Sequence, residues 1–258
     1  MPDTSNSRLA LSLGPLGAQL ALRSGWLRPR YRLLQSLVWP AQATDEQRGA
    51  ALDAMLLKHA RSGSALEVLV ADLWVPSASV QPPVNSATLA DLNAAVSLRL
   101  NAVTDSATGW QTASAPRTGG RFVASAMRSS LMDMLRAQCQ RHGLHLVSVQ
   151  PLFAALWNHW HASLEPGQWL GVCGEGVLTL CVAPQRHIEQ LRRLDFAPAN
   201  AQEPLWPVEA AQHEGLRLGL PVPAKLALCG AVPQAWRGAS AVYLGPVGDA
   251  LSLWGVKP

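Results

Sequence analysis

An α/β fold in two lobes, the first interrupted by an inserted subdomain, is predicted by three features of this sequence. A glycine-punctuated hairpin pattern opens the chain and recurs after residue 168. Between and beyond the hairpins, strand-length apolar runs alternate with helix-period segments, the order that builds a sheet with helices on its faces. A stretch rich in Ser, Thr, Ala, Pro and Asn, 72–120, breaks that alternation. The predicted division is therefore 1–71 with 121–165 as the first lobe, 72–120 as the inserted subdomain and 166–258 as the second lobe.

The elements follow in order. Alternating apolar positions over 9–14 and 18–23, separated by Gly14, Pro15, Leu16 and Gly17, predict two strands joined by a tight turn. A third strand is expected within 31–39. Thr44 is a good N-cap, with Glu46 and Gln47 close behind, and Leu52, Met55 and Leu56 repeat at helical spacing, so a helix is expected over about 45–61. A buried strand follows at 66–71. Within the insertion an amphipathic helix is expected at 86–100. Then come a strand at 122–126, a helix at 129–142 with Leu131, Met134, Leu135 and Cys139 on one face, and Gly143 as its stop. A strand at 144–149 leads to Pro151 and a helix through about 161. The second hairpin pairs 169–173 with 177–182 across Gly174, Glu175 and Gly176. A helix near 208–218, a strand at 225–229 ending in Gly230, and short apolar segments at 241–244 and 251–254 complete the chain.

Composition narrows the function. The 258 residues, 48% hydrophobic and 15% charged, suffice for a sizeable core and argue against disorder. The 21 basic residues are Arg except for Lys58, Lys225 and Lys257. They are scattered, so no polybasic tract for nucleic acid exists. Cys139, Cys173, Cys181 and Cys229 form no CxxC pair, and three sit in apolar runs, which fits a reducing cytoplasm. No signal peptide or membrane anchor is read at the N-terminus. The long charge-free run 144–164 is broken by Pro151, Asn158 and three histidines, and reads as strand then helix rather than as a membrane span.

Several chemistries lack their marks. His142, His145, His159 and His161 have no acidic or thiol partner at ligand spacing, so no metal site is expected. The Gly-x-Ser-x-Gly of a hydrolase, the P-loop and the Gly-x-Gly-x-x-Gly fingerprint are absent. Of the ten tryptophans, most are expected in cores. Trp39, Trp74, Trp206 and Trp236 fall in Pro-rich or loop segments, where exposure to a partner is expected. Candidate partner-binding residues are Trp74, Val75 and Leu92.

Two lobes each opening on a Gly-turn hairpin, an insertion in the first, and a late strand ending in Gly make up the order of the actin-like, ribonuclease H-like, ATPase fold, which this chain resembles over about 8–245. Residues 122–151, FVASAMRSSLMDMLRAQCQRHGLHLVSVQP, resemble more narrowly the branch containing the PilM proteins of type IV pili and the cytoplasmic part of the type II secretion L protein. In active members of the fold each hairpin carries Asp-x-Gly, whose Asp organises Mg²⁺ while the turn offers N–H groups to phosphate. Here Ser12 precedes Gly14 where the first Asp would stand, and Gln19 falls near the basic position. Val172 precedes Gly174 where the second would stand, with Glu175 on the turn side. Ser12, Gly14, Gln19, Gly174, Thr179 and Gly230 are thus remnant nucleotide-cleft positions.

Without the carboxylates, no ATP hydrolysis and no cofactor are expected, ATP with Mg²⁺ being the disfavoured option. The resemblance implies a non-catalytic cytoplasmic scaffold at the inner-membrane face. It would bind the cytoplasmic tail of a PilN-like inner-membrane protein in a groove between first lobe and insertion, and contact the assembly ATPase. With no long apolar span after the domain, a separate PilM-like subunit is expected. The competing reading is an ATP-binding or hydrolysing actin-like or sugar-kinase-like protein.

Overall fold

A computed structural model describes residues 8–24, 30–40, 42–84, 88–104, 109–116, 120–183, 187–220, 222–223, 225–238 and 241–244. The segment expected at 251–254 lies outside the described residues. Strands β1 (Arg8–Leu13), β2 (Gly17–Ser24) and β3 (Arg30–Val38) form an antiparallel meander, to which β4 (Ala65–Val70) and β8 (His145–Pro151) add in parallel. The second lobe repeats this plan. Its β9 (Trp169–Gly174), β10 (Val177–Val182) and β11 (Gln190–Asp195) are antiparallel, and β12 (Leu226–Gly230) and β13 (Ala241–Tyr243) join in parallel. The recurrence of the hairpin pattern in the sequence thus corresponds to two sheets of the same order.

Between them lies a small antiparallel sheet of β5 (Ser77–Val80), β6 (Trp110–Ser114) and β7 (Phe122–Arg128), with β7 in the middle. Its core of Ala78, Val80, Phe122, Ala124 and Ala126 is closed by Val96 and Leu100 of helix α2 (Leu89–Asn101). The middle strand lies past residue 120, where the sequence expectation ended the insertion. It runs directly into helix α3 (Ser129–His142), so one chain segment ties the insertion to the first lobe. Strands β5, β6 and β11 carry no clear apolar alternation, and the sequence reading missed them. Each owes its place to a neighbouring strand rather than to its own pattern.

Leu9, Leu11 and Leu13 point to one face of the first sheet and meet Leu52, Met55 and Leu56 of helix α1 (Asp45–His59) and Leu135 and Cys139 of α3. Thr44 caps α1 in a full capping box with Gln47. Helix α4 (Leu152–Trp160) leaves the first sheet but buries Leu152, Phe153 and Leu156 against Leu170, Val172 and Cys181 of the second. Helix α5 (Trp206–Leu218) packs Ala211 against the other face of that sheet. No helix among the described residues is long and apolar enough to cross a membrane.

Gly143 ends α3 in the left-handed region at φ 62°, while the Leu144 N–H closes back on the Cys139 carbonyl at 2.8 Å. A Cβ there would also stand 2.6 Å from Ser62 Oγ. Gly143→Ala is therefore expected to lower unfolding free energy by about 1–2 kcal/mol, measured by urea denaturation.

Candidate functional site

The turn from Gly14 to Gly17 is closed by hydrogen bonds in both directions between those two residues, at 2.9 and 3.3 Å. Trp39 braces it from behind, its indole N–H donating to the Gly14 carbonyl at 2.8 Å and its backbone N–H to Leu16 at 3.0 Å. That role explains why Trp39 is only 7% exposed, a correction to its expected place in an exposed loop. Trp236 is corrected likewise. It is buried, stacked on Trp206 and packed on Phe196, with its indole N–H donating to the Asn200 carbonyl at 3.0 Å.

The second turn reaches across the cleft to the first. Glu175 accepts a hydrogen bond from the Leu16 backbone N–H at 3.2 Å, and a Cβ on Gly14 would lie 2.5 Å from the same carboxylate. Glu175 is the only described non-glycine residue with positive φ, at 37°, an αL conformation that costs an L side chain free energy. Burial raises its carboxyl pKa, and the Leu16 N–H opposes the shift. In a phosphate-binding turn, backbone N–H groups face an anion. Here the anion is a side chain of this same protein.

Of the positions expected to line a nucleotide cleft, Gly14 meets this contact, and the others are placed by their own strands. Ser12 is buried in β1 and pairs in register with Gln19 of β2. Gly174 sits at the end of β9, close enough to Leu152 that a Cβ would be 3.0 Å from that side chain. Thr179 of β10 is paired with Val172, where the resemblance expected an acid, and the Val172 side chain belongs to the apolar core. Gly230 ends β12 at φ 87°, against the Cys173 backbone.

A second carboxylate, which the sequence reading treated only as the first residue of the insertion, crosses the lobe junction. Asp72, just past β4, accepts from Thr179 Oγ1 at 2.9 Å and from the Phe153 backbone N–H, at the start of α4, at 3.0 Å. Desolvation pushes its pKa up to about 6, against both hydrogen bonds and the attraction of Arg193. The available signal was an acid two residues after a mostly apolar strand, which a sequence reading takes as the strand's solvent end. The tertiary structure instead covers that end with the second lobe.

A separate concavity of about 520 Å³ opens between α1, α3 and the insertion. Trp74 lines it, with Arg48 over its ring at 5.2 Å, and so does Trp110, with Arg128 at 5.1 Å. Arg193 of β11 also reaches it. The three candidate partner residues are not brought together. Val75 is 2% exposed in the first-lobe core, and Leu92 packs inside the insertion.

The histidines serve other contacts. His142 and Arg141 both meet Asp53 at 2.9 Å and hold its pKa down, tying α3 to α1. His161 stacks on Trp157, and His159 packs edge-on against Trp160. Among the described residues no cluster of three metal-ligating side chains occurs. Cys173, Cys181 and Cys229 are buried thiols whose pKa values burial raises, so they are poor nucleophiles.

No protein-family model and no curated protein sequence matches this chain. Solved structures do. A Bacteroides thetaiotaomicron protein with an actin-like ATPase fold and unknown function superposes with a TM-score of 0.64 at 8% identity, over 90% of this chain and 84% of that one. The cytoplasmic domain of EpsL, an inner-membrane component of the type II secretion system of Vibrio cholerae, gives 0.61 at 12% identity, over 96% and 93%. A chain of the PilM–PilN type IV pilus biogenesis complex gives 0.62 at 19% identity, over 90% and 83%. The branch that the sequence resembles is thus among its structural neighbours, and the chain has the actin-like ATPase fold.

Proposed function

We propose that this chain is a non-catalytic scaffold of a type IV pilus or type II secretion-like assembly platform, standing at the cytoplasmic face of the inner membrane. The observation that carries the non-catalytic part is the Glu175 carboxylate on the Leu16 N–H, in the place where the fold's two phosphate turns face each other. Ser12 and Val172 stand where the resemblance puts the metal-organising acids, and neither side chain supplies the carboxylate that would hold Mg²⁺ on a polyphosphate. Two neighbours of the same fold, one from a secretion system and one from a pilus complex, support the assembly role.

In this reading the groove beside Trp74 receives the cytoplasmic tail of a PilN-like inner-membrane protein, and another surface contacts the assembly ATPase. Binding, not turnover, couples the two. Isothermal titration with Mg-ATP is expected to give no saturable heat, and no phosphate should be released. Glu175→Gly, which frees the first turn and suits the positive φ, is expected to leave hydrolysis absent because no carboxylate replaces the missing pair. Micromolar binding with turnover in the native protein would instead establish an active ATPase. Titration of a PilN-like tail peptide into the native chain tests the partner assignment, and failure of that peptide while an unrelated soluble partner binds would remove the pilus reading.

A further inference from the structure

The walls of the groove beside Trp74 are unusually one-sided in hydrogen-bonding terms. Three guanidiniums, Arg48, Arg128 and Arg193, line it against the single carboxylate of Asp45. Asp45 is taken by Arg48 at 2.9 Å, and Arg193 pairs with Asp195 at 3.6 Å. Arg128 is stacked on Trp110 but meets no carboxylate among the described residues. The indole N–H groups of Trp74 and Trp110 likewise meet no acceptor there. Indole and guanidinium nitrogens can only donate. A guanidinium lying over an indole keeps its edge N–H groups available to a ligand in the plane. Apolar side chains, Leu73, Val103 and Met134 among them, line the same groove.

We propose that this groove takes an extended acidic peptide segment in which apolar and carboxylate side chains alternate. Its carboxylates meet Arg128 and the two indole N–H groups, and its apolar side chains lie on the apolar wall. The inference rests on the docking role proposed above and names the chemistry of the docked tail. A compact inorganic anion would satisfy the donors but leave the apolar wall bare. A basic or uncharged tail would cover the wall and leave donors without charged acceptors.

The test is fluorescence anisotropy of labelled ten-residue peptides in which Leu alternates with Glu, Gln or Lys, titrated with the full chain, alongside a PilN-like tail peptide. Hydrogen bonds to a charged group should make the Glu peptide bind about tenfold more tightly than the Gln peptide. Added salt should weaken it selectively. Arg128→Gln, at an exposed position, should bring the Glu peptide to the level of the Gln peptide, and Trp74→Phe, which keeps the ring and removes the donor, should weaken it in the same direction. Equal or tighter binding of the Gln or Lys peptide, no effect of Arg128→Gln, or binding of the tail peptide alone overturns the acidic assignment and leaves the docking role standing. Silence of all four peptides overturns both.

Discussion

Asp72→Asn is expected to raise unfolding free energy near neutral pH by about 2 kcal/mol. The carboxyl of Asp72 is buried where the first lobe meets the second, and its pKa rises from 3.8 to about 6. A raised carboxyl pKa means that the folded chain holds the proton more tightly than the unfolded chain. The resulting stabilisation is full below 3.8 and is lost as pH rises through about 6. Above that range the ionised carboxylate costs on the order of 3 kcal/mol relative to its neutral form. Asparagine removes the charge and still accepts from the Phe153 N–H, but it turns a donor toward Thr179, an offset of roughly 1 kcal/mol. In urea unfolding the advantage of the Asn variant should shrink as the pH is lowered toward 4. An advantage that does not change with pH would show that the charge is not its source. Asp72→Ala is expected to destabilise at every pH, because it leaves two buried donors without an acceptor. A carboxylate kept at this stability cost holds β4, the start of α4 and β10 in one arrangement, and Arg193 on the neighbouring β11 lines the groove.

Gly230→Ala is the second large effect, a loss of about 3 kcal/mol in the same measurement. At φ 87° the position suits no L side chain, and an added Cβ would be driven into the Cys173 carbonyl oxygen and crowd that residue's backbone. The same carbonyl accepts the Ala231 N–H at 2.9 Å, so the clash falls on the bond that seats β12 against β9. A variant as stable as the native chain would mean that the strands can part without cost. In the nucleotide-binding reading, this glycine is a remnant nucleotide-cleft position. The close approach of two parallel strands is a sufficient reason for it, so its presence does not argue for a nucleotide. Gly14 differs, because what approaches it is the Glu175 side chain from the other lobe.

The repeated hairpins, the long helices and their caps were legible in the residues because their signals are local. Apolar alternation marks β1 and β2, apolar runs either side of Gly174 and Gly176 mark β9 and β10, Thr44 with Gln47 marks the start of α1, and Gly143 marks the end of α3. The absence of acids at positions 12 and 172 was legible for the same reason. Strands β5, β6 and β11 were not, since a strand held by its neighbours needs no pattern of its own. Nor was the burial of Trp39 and Trp236, which depends on a distant turn carbonyl and on two distant rings. The sequence determined the two-lobe α/β plan and the residues of its two glycine turns, because periodicity, capping and residue identity act within a few positions along the chain. Only the tertiary structure decided that Glu175 fills the first turn across 159 residues of separation, that Asp72 bridges the lobes to Thr179 across 107, and that Trp74, Trp110 and three arginines share one groove. Such contacts come from how the sheets pack against one another, and no local pattern encodes that packing.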